Sequence, residues 1–234
     1  VKEIPFAPPG LKDSQEFDIT ISTPVNAELT GFQQITVTVP AVPYEVTKEL
    51  VVVGDDWLYR KGTSEPPSDW NELLFTPDET WLTGATPIGY ERRSGYESCI
   101  VTDVSDMYNS YLSVYARKIF TVDDPNMLTS LTLGISYDDG YIAYINGVPV
   151  HSKNPPNPIA YNTPLSTDHE GSCSSNLPEY DLIAFITALE PGDNVLAIQI
   201  HNKNLTSSDF LLIPALSSVA TPTPGDFEPD GDVD

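Results

Sequence analysis

The chain has 234 residues, 40% of them hydrophobic, which is enough for a packed core and excludes global disorder. Its 34 acidic side chains against 11 Lys and Arg leave a formal charge of −23. That excludes nucleic acid and anionic membrane surfaces as partners, since both demand a positive face. Proline at 22 positions argues against helices, and no apolar run approaches the ~20 residues of a membrane-spanning helix.

In chain order, the first strand signals are Phe17-Asp-Ile-Thr-Ile-Ser22 and Gln34-Ile-Thr-Val-Thr-Val39, separated by Pro-rich joints. Later runs are Tyr115–Val122, Leu131–Ser136, Tyr141–Ile145 and Asn194–Ile200, each short, rich in β-formers and bounded by Gly, Pro, Asn or Asp. Residues 179–189 read either as one helical segment or as a strand around Ile183-Ala-Phe-Ile186. Asp138-Asp139-Gly140 and Asn146-Gly147 punctuate the middle, Asn-Gly being a strong hairpin signal because both positions accept positive φ. The expected local structure is a meander of three strands joined by these two turns. Many short strands so punctuated predict an all-β fold, an antiparallel β-sandwich or jelly roll.

Four segments are expected. Residues 1–50 form an N-terminal β segment, either the tail of an immunoglobulin-like domain or outer strands of the sandwich. Residues 51–219 are the main sandwich, residues 220–225 (Ala-Thr-Pro-Thr-Pro-Gly) a stiff linker, and residues 226–234 an acidic tail. Val1-Lys2-Glu3 carries no secretory leader, so a trimmed N-terminus is expected. Cys99 and Cys173 lie among small and polar residues with no metal-ligand spacing, and one disulfide in an exported protein is expected.

Candidate binding residues concentrate in residues 84–113, where Tyr90, Arg92, Tyr96, Tyr108, Asn109 and Tyr111 occur within an irregular stretch. Aromatic faces stack on the C–H face of a pyranose, while Arg and Asn hydrogen-bond vicinal hydroxyls. Trp81, like Trp57 and Trp70, either joins such a platform or closes the core. Asp138 and Asp139, with Asp209 on the last loop, are candidate ligands for a structural Ca2+, which takes clustered carboxylate oxygens. Asp226, Glu228, Asp230 and Asp232 alternate around Gly231 in the spacing of an opening EF-hand-type loop that lacks its closing acid. There is no Gly-x-Ser-x-Gly, no His-Glu-x-x-His and no phosphate loop, and His151, His169 and His201 are scattered. The expectation is therefore a non-catalytic chain.

Two resemblances add to this. The succession Trp57-Leu-Tyr-Arg-Lys-Gly62, Phe75-Thr-Pro-Asp-Glu-Thr-Trp81, Pro87-Ile-Gly-Tyr90, Tyr137-Asp-Asp-Gly-Tyr-Ile-Ala-Tyr-Ile-Asn-Gly147, Gly192–Asn202 and Ser207-Ser-Asp-Phe210 resembles the galactose-binding-like β-sandwich modules of large secreted bacterial proteins. The resemblance covers residues 51–216 and implies a jelly roll with an accessory, often carbohydrate-binding role. The tail from Gly225 to Asp234, after its Thr-Pro linker, resembles the start of a type I dockerin repeat, which implies a cohesin partner for a complete repeat. Together these predict an extracellular bacterial module that binds a polysaccharide or oligosaccharide beside neighbouring domains of a larger chain. The alternatives are a structural or adhesion spacer making protein contacts and, third, a polysaccharide lyase or glycoside hydrolase domain.

Overall fold

The computed structural model describes residues 45–221 in full, together with the backbone of strands β1 (Gln15–Thr20) and β2 (Gln34–Val39). The chain divides into two compact units, residues 1–46 with 220–234, and residues 47–219. In the first, β1 and β2 pair antiparallel, Gln15 opposite Val39 and Thr20 opposite Gln34. The linker beyond Thr221 and the acidic tail, including Asp226, Glu228, Asp230 and Asp232, lie outside the described residues.

The second unit is an all-β sandwich. Its strands are β3 (Val46–Val51), β4 (Asp56–Lys61), β5 (Trp81–Ala85), β6 (Ile88–Glu91), β7 (Thr102–Asp103), β8 (Ser113–Val122), β9 (Leu128–Asp138), β10 (Gly140–Ile145), β11 (Val148–Lys153), β12 (Glu179–Asp181), β13 (Gly192–His201) and β14 (Asp209–Ala220). One sheet runs β11-β10-β13-β8-β4-β5 and the other β12-β9-β14-β6-β7, with β3 also on β14. The resolved pairings are antiparallel except β6 with β7. Between the sheets, Leu131, Leu133 and Ile135 of β9 meet Leu196, Ile198 and Ile200 of β13, with Phe210 and Leu212 of β14. Each such side chain contributes roughly 1.5–3 kcal/mol by leaving water.

The period-2 pattern holds on β9 only as far as Leu133, beyond which both faces are buried, and β13 is buried on both faces from Asn194 onward. Its second face is covered by residues 62–80, whose Trp70 and Phe75 pack with Trp81, Tyr115 and Ala197. Trp70 stacks on Trp81 at 6.3 Å and meets Tyr115 edge-on at 4.9 Å. Buried Arg117 fastens this flap, donating from Nη2 to the Glu72 carbonyl at 2.7 Å. The tryptophans therefore close hydrophobic layers, and Trp81 offers no open face for a sugar. Residues 179–189 hold neither one helix nor one strand: β12 is followed by a 3-10 turn over Ile183–Ala188.

One local expectation is corrected. Asn146-Gly147 does turn β10 into β11, with both residues at positive φ. Asp138-Asp139-Gly140, however, does not form a hairpin: β9 and β10 belong to different sheets, and the chain crosses the sandwich at this corner. Residues 135–143 are all buried, so the acids lie inside the corner and not on a solvated turn. Gly140 is needed there for close approach, since a Cβ would collide with the Asn154 carbonyl. Among the described residues no helix is long and apolar enough to cross a membrane.

Candidate functional site

Five segments meet at one end of the sandwich: the β9–β10 corner, residues 91–101 after β6, residues 104–112 before β8, residues 168–173, and residues 202–209 between β13 and β14. Backbone bonds lace them together: Arg92 N–H donates to Ser208 O at 2.9 Å and Asn109 N–H to Leu205 O at 2.7 Å. The Cys99–Cys173 disulfide, with Cα atoms 5.8 Å apart, ties the 91–101 loop to the 168–173 loop, as the cysteine count led one to expect.

At the centre are three carboxyl groups. Asp138, Glu170 and Asp209 each offer an oxygen within 4.8 Å of the other two. Asp138 is 1% exposed, Asp209 half-buried and Glu170 exposed. The Tyr96 hydroxyl stands between two of them, 3.0 Å from Asp138 Oδ2 and 3.2 Å from Glu170 Oε2, while accepting the Gly171 N–H at 2.8 Å. A phenol carries one proton, so it cannot satisfy both carboxylates at once. Asp138 Oδ1 is buried with no hydrogen-bond partner.

The electrostatics follow. Burial, then the charges of Asp139 and Asp209, push the Asp138 carboxyl up to about 8. Burial, then Glu170, Glu91 and Asp139, raises Asp209. Asp139 is raised by burial and drawn back down by two amides: His169 N–H donates to its Oδ1 at 2.9 Å and Lys203 N–H to its Oδ2 at 2.8 Å. Both Asp139 oxygens are thus committed to tying two loops to the corner, and the third member of the cluster is Glu170, which the sequence did not single out.

The aromatic residues expected to bind a sugar mostly face inward. Tyr90 is buried against Phe210, donates to Ser207 O at 2.8 Å and accepts from Asn202 Nδ2 at 3.0 Å; burial pushes its phenol up to about 12. Tyr96 is buried among the carboxyls, and Tyr111 is buried with its hydroxyl on Asp106 Oδ1 at 2.9 Å. None of these three forms an exposed platform, because each ring fills core and each hydroxyl finds a partner at the rim. Arg92, Tyr108 and Asn109 do reach the surface. The Arg92 guanidinium lies over the Tyr108 ring at 3.9 Å, and exposed Asn109 takes a left-handed conformation at φ 61°. Elsewhere, a recess of about 370 Å3 on the outer face of β9 and β14 is lined by Thr132, Gly134, Ala215 and Ser217 with Glu49 and Glu179, and by no aromatic side chain.

No protein family and no curated protein matches the chain. Among solved structures it is similar to Bacteroides uniformis beta-glucuronidase 2 at 14% identity and a TM-score of 0.45, over 76% of this chain and 18% of that one. An uncultured Clostridium sp. beta-glucuronidase gives 15% identity and a TM-score of 0.43, over 88% and 31%. Bifidobacterium dentium beta-glucuronidase complexed with coumarin-3-O-glucuronide gives 16% and 0.39, over 67% and 20%. The chain spans less than a third of each of these enzymes, and superpositions this loose carry no functional inference.

Proposed function

We propose that the chain is a non-catalytic carbohydrate-binding accessory module of a larger secreted, polysaccharide-active protein, and that glycan is held at the loop end around Arg92, Tyr108 and Asn109. The observation that supports this most is the Arg92–Tyr108 stack. The ring holds the guanidinium in one orientation, so its forked donors are presented to vicinal hydroxyls with less rotamer freedom to lose. The Cys99–Cys173 disulfide is in keeping with an oxidising compartment. The burial of Asp138 favours the non-catalytic part: glycosidic cleavage needs two carboxyl groups flanking the bond in an open cleft, and this carboxyl is closed off from solvent.

A glycan array followed by calorimetry on the retained sugars tests the reading. Arg92→Ala and Tyr108→Ala are each expected to weaken binding at least tenfold with unchanged thermal stability. Failure to retain any glycan, or retention indifferent to both substitutions, rejects it. Release of reducing ends from a polysaccharide rejects its non-catalytic half.

A further inference from the structure

We propose that Asp138, Glu170 and Asp209 form a calcium site that pins the β9–β10 corner, the disulfide-tied loop and the start of β14 to one another. This stands independently of the glycan reading, whose residues are different ones. Hydrogen-bond donors are scarce at the cluster. Asp138 is 1% exposed, and its Oδ1 has no donor, although a buried carboxylate oxygen left bare costs more than almost any other polar group. Its Oδ2 and Glu170 Oε2 compete for the single proton of Tyr96. Asp209 adds a third carboxyl whose backbone neighbour across the ladder is another acid, Glu91. Two basic side chains of the surrounding loops are directed elsewhere: Lys203 pairs with Asp168 at 3.3 Å, and Arg92 lies on Tyr108.

The geometry selects the ion. Three oxygens within 4.8 Å of one another fit inside one coordination sphere, since two calcium–oxygen bonds of about 2.4 Å set end to end span that distance. The donor set is oxygen only, which suits a hard cation; the softer transition metals and zinc favour imidazole or thiolate, and neither is offered here. The ligands come from three separate segments, the end of β9, the loop holding Glu170 and the start of β14, and include one exposed side chain. That arrangement suits the variable coordination of calcium better than the strict octahedron of magnesium. Tyr96 can then direct its proton to one carboxylate while the ion serves the bare oxygens.

The test uses the full chain in a background with Asp226→Ala, Glu228→Ala, Asp230→Ala and Asp232→Ala, so that the acidic tail contributes no signal. Calcium chloride is titrated while thermal unfolding is followed, and terbium is titrated under tyrosine excitation, Tyr96 being in place to sensitise it. The expected result is a saturable rise in the unfolding midpoint and saturable terbium emission that calcium displaces. Glu170→Gln, a change at an exposed position that leaves the core intact, is expected to weaken both at least tenfold, and Asp209→Asn likewise. Absence of a saturable response, disappearance of the response with the tail alone, or Glu170→Gln binding as tightly as the parent each overturns the proposal. In those cases a proton shared among the three carboxyls is what reconciles them.

Discussion

Tyr96 and Glu170 stand three residues before Cys99 and Cys173 respectively, and the disulfide between those cysteines brings the Tyr96 hydroxyl to 3.2 Å from Glu170 Oε2. The crosslink spans 74 residues of sequence and so does two things: it restricts the unfolded chain and it sets the geometry of the acidic cluster. The first effect is worth about 4 kcal/mol on a chain-entropy basis. Replacing both cysteines by serine is expected to lower the unfolding midpoint by roughly 10 °C for a unit of this size. Differential scanning calorimetry decides it, and a fall of only a degree or two means the loops are held by their hydrogen bonds alone.

His201 makes stability depend on pH. Its Nδ1 donates to Thr163 O at 3.1 Å, and its Nε2, 2.8 Å from Gln199 Nε2, is left to accept. Burial of this neutral ring lowers its pKa from 6.5 to about 4. Above pH 6.5 neither the folded nor the unfolded form carries the extra proton. As pH falls from 6.5 toward 4 only the unfolded chain takes it up, so stability is lost over that window, by about 3 kcal/mol in full. Urea unfolding at a series of pH values is expected to show this slope in the parent and a shallower one in His201→Gln. Equal slopes in the two proteins eliminate His201 as the source.

Gly140→Ala probes the corner between the sheets. The added methyl meets the backbone carbonyl of Asn154 and comes within 2.8 Å of Leu165 Cδ1. Backbone cannot yield as a side-chain tip does, and a loss of about 1–3 kcal/mol is expected. A neutral change, measured by chemical denaturation, shows that the strand after the corner shifts freely.

Trp70→Ala separates a core role from a ligand role. Removing a ring that bridges Trp81, Tyr115 and Tyr144 is expected to cost about 3–5 kcal/mol. Any glycan affinity measured on the folded fraction stays where it was. Weakened binding at undiminished stability contradicts the packing role assigned to this ring.

The strands were legible where propensity and burial agree. Asn194–Ile200 reads as a strand from its β-branched and aliphatic run, and Asn146-Gly147 announces its turn through the φ values it alone accepts cheaply. The corner at Asp138-Asp139-Gly140 misled because a crossing between sheets and a tight hairpin place the same small and polar residue types at the bend. What separates them is whether the next strand pairs back, a contact distant in sequence. Tyrosine misled for a different reason. Tyr90, Tyr96 and Tyr111 bury their rings and keep their hydroxyls bonded, and composition does not distinguish that from an exposed stacking face. Glu170 is one acid among many in the chain, and the signal that could have marked it is its offset from Cys173, matched by that of Tyr96 from Cys99.

The first and last strands of the sandwich, β3 and β14, are ladder neighbours. Polypeptide therefore arrives and departs along a shared seam, and the interior is laid down between these two bounding ribbons. Such a cassette can be spliced into a longer protein without rethreading its host. It can equally be reopened at another exposed loop, provided the seam itself is kept closed.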